Sequence, residues 1–171
     1  MQALTFWKTV TMDHSNLLEN LIAFLREHKI RFCVIGGQAV NAYVEPLVSL
    51  DLDLVAQIES IESLLEQWFV LKRFPHSLNI TIPGSDVRVQ IQTDERYSSF
   101  LEHATTRTVL GMELPVASVE DVLQGKIWAF SDPECRGSKR QKDLADIARI
   151  LENYPDLRDQ VPQEIHARLM D

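Results

Sequence analysis

Cysteine is scarce in this chain of 171 residues, which carries only Cys33 and Cys135. There is no CxxC pair and no Cys/His group at zinc spacing, which excludes a dithiol redox motif, a zinc finger and a disulfide framework. Cys33 lies in an apolar run and reads as a small core residue, whereas Cys135 sits in a polar stretch. No apolar run is long enough to cross a bilayer. Residues 1–16 have no apolar stretch of the kind a secretory leader needs. The expectation is a cytoplasmic protein in a reducing compartment, with no membrane partner. Positive charge is also in short supply, with 17 Lys and Arg against 25 Asp and Glu for a formal net charge of −8. That balance argues against a broad nucleic-acid footprint or an anionic membrane surface, but it leaves room for a small basic pocket. Glycine is limited to 6 residues, and no Gly/Ser linker, repeat or low-complexity tract divides the chain. What is present, 45% hydrophobic and 25% charged residues, is ordinary globular composition. A single domain over residues 1–171 is expected, with its core at about 16–154.

Leu17, Leu18, Leu21, Ile22 and Leu25 recur at helical spacing and predict a helix over Asn16–His28 with Ser15 as its N-cap. Arg31–Ile35 reads as a strand halted by Gly36 and Gly37, with a brief helix over Gln38–Tyr43. Ser49–Ala56 alternates strictly and predicts a strand, and Ile58–Trp68 predicts a helix. Asn79–Ile82 and Val87–Ile91 flank turn chemistry at Pro83–Asp86 and predict a hairpin. In its second strand Val87, Val89 and Ile91 take one face, and Arg88, Gln90 and Gln92 the other. A weaker strand pair follows around Arg107–Pro115. Ser118 caps a helix to about Phe130, with Asp121 in the acidic third position. Lys139–Asn153 predicts a second helix, and Val161–Leu169 a short terminal one. Hairpins beside βα elements give an α+β class, a mixed sheet with helices packed on it and a helical C-terminal part, rather than a doubly wound pattern.

Asp51 and Asp53, two apart on a strand, are expected on one face, with Leu50, Leu52 and Leu54 packing the other. Converging carboxylates repel unless a cation neutralises them, and Mg²⁺ suits hard oxygen ligands and nucleotide phosphates. The same DLD also suits an edge strand whose acidic residues keep its outer face wet. Gly36 and Gly37, where a strand ends and a helix begins, offer backbone N–H groups to a phosphate and let it approach closely. A ligand-free tight turn explains them equally well. Lys142 and Asp146 form an i,i+4 pair that reads as a solvated helix face, and Lys126 reads as a surface lysine whose stem snorkels. Trp68, Trp128 and the phenylalanines fit core positions.

Taken together, Val34–Val55, VIGGQAVNAYVEPLVSLDLDLV, resembles the signature of the nucleotidyltransferase superfamily: a hydrophobic residue, Gly-Gly, a spacer, then Asp-x-Asp on a strand. The chain is most similar to small bacterial proteins related to the AbiEii-type toxins. Ala117–Lys126, ASVEDVLQGK, and Lys142–Asp146, KDLAD, are similar to helical segments of those proteins, so the resemblance runs from about Phe32 to Leu151. It implies the nucleotidyltransferase fold and Mg²⁺-dependent transfer of a nucleotidyl group from a nucleoside triphosphate to an acceptor, whether RNA, protein or a small molecule. An antitoxin-like protein partner is implied as well. By the same resemblance Asp51 and Asp53 would hold the metal and act in catalysis with Lys142. Gly36, Gly37 and Ser49 would sit at the nucleotide, with Lys126, Asp143 and Asp146 completing its site.

Two positions depart from that pattern. Family members carry an Arg four residues before the first Asp, where this chain has Leu47; the hydroxyl two before it is kept as Ser49. A third acid is expected on the following strand, where this chain has Gln90, which cannot accept a proton as a general base. Asp86 and Asp94 share the parity of Gln90 but lie four residues away along the strand. The competing expectation is therefore a protein that keeps the fold and binds nucleotide, or a protein partner, without catalysis.

Overall fold

The computed structural model describes residues 2–10, 16–58, 62–83 and 85–169. Helix α1 (Gln2–Val10) precedes α2 (Leu17–Glu27), β1 (Phe32–Ile35), α3 (Gly36–Tyr43) and β2 (Leu52–Ala56). A short α4 (Glu62–Leu65) leads to β3 (Val70–Phe74), β4 (Ser77–Thr81) and β5 (Val89–Gln92). After a 3-10 turn at Glu95–Tyr97 come α5 (Phe100–His103), β6 (Thr105–Val109) and β7 (Met112–Val116). The chain finishes with α6 (Val119–Ser131), α7 (Gly137–Asn153), a 3-10 stretch at Pro155–Gln160 and α8 (Gln163–His166).

The strands form one mixed sheet of seven in the order β3-β4-β5-β2-β1-β7-β6. Strand β2 runs antiparallel to β1 and parallel to β5, and β1 runs parallel to β7. The expected hairpin is β4–β5, antiparallel, with Ile80 opposite Val89 and Leu78 opposite Ile91. These residues continue into Leu52 and Leu54 of β2, and all six side chains are at most 1% exposed. Burying such a face stabilises the sheet by roughly 25 cal/mol per Å² of apolar surface removed from water. The α2 stripe of Leu17, Leu18, Leu21, Ile22 and Leu25 is buried as its spacing requires. Its expected cap Ser15 lies outside the described residues. Ser118 does cap α6, its hydroxyl accepting from the Asp121 amide at 3.2 Å.

Several expectations need correction. Strand β2 begins at Leu52, so Asp51 lies in the lead-in segment and Leu50 is exposed rather than packed. The helix expected over Ile58–Trp68 is only the single turn α4 in its described part, residues 59–61 lying outside it, and Trp68 is 67% exposed instead of buried. Strand β3 has almost no buried face and so carries no alternation to read. Trp128 is partly buried, packed against Tyr97 and Phe100 with ring centroids at 5.1 and 5.8 Å.

Candidate active site

The turn between β1 and α3 is built around missing side chains. Gly36 has φ +68°, a conformation other residues adopt only with strain, and a Cβ there would stand 2.3 Å from Asp53 Oδ2. A Cβ on Gly37 would stand 2.9 Å from Ser49 Oγ. The two glycines thus let β2 and its lead-in approach the first turn of α3.

Helix α3 also fastens that lead-in. Gln38 Nε2 donates to the Ser49 carbonyl at 2.8 Å. Asn41 Nδ2 donates to the Leu47 carbonyl at 2.6 Å, and its Oδ1 accepts from the Leu47 amide at 3.0 Å. Arg149 of α7 reaches Asn41 Oδ1 at 3.3 Å and the Glu45 carbonyl. Gln38, Asn41 and Arg149 therefore set the path of the segment that presents Asp51. Sequence reasoning passed over them, although a Gln and an Asn on one face of a short helix were the available signal.

Register then brings the polar face of the sheet together. Asp53 pairs with Ile35 on one side and Gln90 on the other, and Gln90 in turn faces Asn79. Directly paired residues share a face, so Gln90 is the immediate lateral neighbour of Asp53. Asp94 does not substitute for it: its carboxylate accepts from Arg96 Nε at 3.0 Å and Nη2 at 2.8 Å. Asp86 is exposed.

Above this face lies a cavity of about 120 Å³, bounded by Gly36, Asp53 and Gln90 below and by Gly125, Lys126 and Lys139 of the C-terminal helices above. Asp53 is partly buried and has neither a hydrogen bond nor an ion pair among the described residues. Burial pushes its carboxyl above the usual aspartate range, and Asp51 adds to the push. The ammonium groups of Lys126, Lys139 and Lys142 act against it. Asp51 is half-exposed, and its carboxylate stands 3.8 Å from the Arg88 guanidinium.

Lys126 is not a surface lysine but 8% exposed, held by Asp143 at 3.0 Å and Asp146 at 2.8 Å. The Asp146 contact is a close ion pair without hydrogen-bond alignment. Lys139 braces Asp143 at 3.3 Å and Arg149 braces Asp146 at 2.9 Å. Burial alone would lower the Lys126 pKa, but the two carboxylates outweigh it and hold it above the ordinary lysine value. KDLAD is thus no solvated face: Asp143 and Asp146 point inward, while Lys142 stays exposed and does not pair with Asp146.

This donor set fits a divalent cation. A partly buried carboxylate without a partner among the described residues and a second held only by a long ion pair stand two residues apart. Among the described residues no three His, Cys, Asp or Glu side chains converge. The protein's share of a coordination shell would be the two aspartates, leaving the remainder to phosphate oxygens and water.

A family model described as nucleotidyl transferase AbiEii toxin, type IV toxin–antitoxin system, matches residues 21–169. Among solved structures, ANT(2″)-Ia in complex with adenylyl-2″-tobramycin superposes with a TM-score of 0.61 at 14% identity, covering 90% of this chain and 97% of that one. An antigenic nucleotidyltransferase-like protein from Paracoccidioides brasiliensis gives 0.55 at 20% identity, covering 94% and 84%. The lincosamide antibiotic adenylyltransferase LnuA, lincomycin-bound, gives 0.52 at 11% identity, covering 80% and 97%. At these identities the likeness establishes the nucleotidyltransferase fold. No curated protein sequence matches the chain.

Proposed function

This chain belongs to the AbiEii family of nucleotidyl transferases, and on that premise we propose that it transfers a nucleotidyl group from a nucleoside triphosphate to an acceptor hydroxyl, releasing pyrophosphate. The observation that carries this reading is Asp53, an ionisable side chain without a partner on the floor of a cavity, against a glycine that leaves room for nothing larger. Holding such a group costs stability unless something binds it. Asp51 and Asp53 would hold Mg²⁺, which would supply charge neutralisation at the reacting oxygens.

The chain's own residues orient the substrate. Gly36 and Gly37 turn the start of α3 toward the phosphates, and Ser49 supports Gly37 from the lead-in segment. Lys126 acts through its field, since Asp143 and Asp146 already occupy its ammonium group. Lys142, exposed on α7, is the lysine that can extend to the phosphates. The acceptor is an RNA, a protein or a small molecule, the setting is the bacterial cytoplasm, and an antitoxin-like protein is the partner that the family context suggests.

The second reading, a nucleotide-binding or partner-binding protein without turnover, is favoured by Gln90. It occupies the position beside Asp53 where a third carboxylate would accept the acceptor proton. Calorimetric titration with ATP, GTP, CTP and UTP, with and without Mg²⁺, tests the site in the wild type and in Asp51→Asn. Binding that needs both Mg²⁺ and Asp51 supports it. Folded protein that binds no nucleotide rules it out. Transfer that persists unchanged in Asp51→Asn rules out the metal assignment.

A further inference from the structure

Resting on the transferase reading, we propose that Arg88 is a further triphosphate-binding residue of this site, and that it exchanges Asp51 for the substrate's terminal phosphates when nucleotide and cation arrive. Its position follows from register. Leu52 pairs with Val89 and Asp53 with Gln90, and the Leu52 amide donates to the Arg88 carbonyl at 3.4 Å. Arg88 therefore lies one step before β5, on the face that carries Gln90, beside Asp51. Its guanidinium stands 3.8 Å from Asp51 Oδ1, with the two side chains 51% and 54% exposed.

That contact is an ion pair but too long for a hydrogen bond, and between half-exposed groups it is weakly held. A guanidinium carries five N–H donors in a planar fork. Arg88 spends none of them on a hydrogen bond among the described residues. The fork is charged, two residues from the cavity-lining Gln90 and uncommitted, which suits bidentate recognition of phosphate.

The charge distribution argues in the same direction. A triphosphate brought against Asp51 and Asp53 adds anionic charge to anionic charge, so cations must flank it. Lys126 is engaged by two carboxylates, and Lys139 is shared with Asp143. Arg96 is held by Asp94 and lies over the Trp128 ring at 4.8 Å. The lead-in segment 44–50 contains Glu45 as its only charged residue, with Leu47 exposed. Lys142 can serve the α7 side of the cavity, and Arg88 serves the β5 side. Once a cation occupies Asp51, the attraction that holds Arg88 there is cancelled, and the guanidinium turns to the nearest anion, the bound phosphates.

The test is calorimetric titration of wild type and Arg88→Gln in Mg²⁺, with each of the four nucleoside triphosphates and with the matching monophosphates. Loss of one charge-assisted phosphate contact weakens the preferred triphosphate by about 10–100-fold. The monophosphate, which lacks the terminal groups, changes by less than about threefold. Arg88→Lys restores part of the loss, since an ammonium supplies the charge but not the fork. Titration of Mg²⁺ alone shows no weakening in Arg88→Gln, because Asp51 has lost a competitor. Thermal unfolding confirms the fold of a variant whose altered side chain is half in solvent. Equal triphosphate affinity in Arg88→Gln and wild type overturns the assignment, as does an equal loss for mono- and triphosphates. If the wild type binds no triphosphate at all, the transferase reading itself fails and takes this assignment with it.

Discussion

Asp53→Asn should make the metal-free protein more stable while ending nucleotide binding through the cation. In the wild type the Asp53 carboxylate occupies the space where a Gly36 side chain would otherwise stand, without a hydrogen bond or ion pair among the described residues. A charged group left without a partner in such a place costs about 1–3 kcal/mol. Asparagine keeps the shape and removes the charge. For a chain of this length each kcal/mol moves Tm by about 2–4 °C, so a gain of about 2–12 °C is expected near neutral pH with a chelator present. Burial raises the folded-state pKa of Asp53 above its ordinary value. The folded state therefore holds this proton more tightly than the unfolded one, and the stability due to Asp53 falls as pH rises through its folded pKa. The gap between Asp53→Asn and wild type consequently opens with rising pH and narrows toward acid. Adding Mg²⁺ and the preferred triphosphate reverses the order, since a ligand at about 1,000 times its Kd stabilises the wild type by about 4.1 kcal/mol. Differential scanning calorimetry across pH, with and without those ligands, measures all three effects. A lower Tm for Asp53→Asn in chelator at neutral pH, or a gap that ignores pH, would refute the argument.

Gly36→Ala forces a Cβ into a left-handed backbone and onto Asp53 Oδ2. It should cost at least about 1–2 kcal/mol from the backbone alone, read by urea unfolding. Lys126→Met leaves Asp143 and Asp146 buried with only Lys139 and Arg149 as partners, and a loss of about 3–5 kcal/mol is expected in the same assay. Because the two carboxylates raise the Lys126 pKa, its stabilisation is complete at neutral pH and is lost as pH rises through the folded value. The steepest part of the wild type's alkaline unfolding should therefore be absent in Lys126→Met. The hydrogen bonds from Arg96 hold the Asp94 carboxyl below its usual range, so its stabilisation is present above the ordinary aspartate pKa and fades as pH falls through the lowered one. Asp94→Asn should flatten the acid limb by no more than about 1 kcal/mol, since the Arg96 partner is more than half in solvent.

The sequence is most legible where local chemistry and periodicity agree. Gly-Gly after an apolar run stops a strand and starts a helix by backbone geometry alone, and the alternation of Val87, Val89 and Ile91 places Gln90 on the face it occupies. Asp53 is legible for the same reason. Asp51 is less so, because alternation continues through Ser49–Asp51 in sequence while the ladder begins only at Leu52. Strand β3 escapes because four of its five residues are exposed, so no hydrophobic period exists to detect. Lys126 is missed for a tertiary reason. Its burial depends on carboxylates 17 and 20 residues downstream on another helix, and nothing within one turn of α6 announces them.

The motif supplies the chemistry, but its placement depends on residues outside it. Gln38 and Asn41 pin the lead-in segment to α3, and Arg149 ties that segment to α7. Arg149 also braces Asp146, which holds Lys126, whose charge opposes the burial penalty on Asp53. Around the two inward aspartates of α7 stand three cations, Lys126, Lys139 and Arg149, so the cluster keeps a net positive charge. Lys126 and Lys139 of that cluster are among the cations that oppose the burial penalty on Asp53. On the proposed function the C-terminal helices would serve the site first by their field, and contact with substrate would fall to exposed cations, Lys142 on α7 and Arg88 before β5.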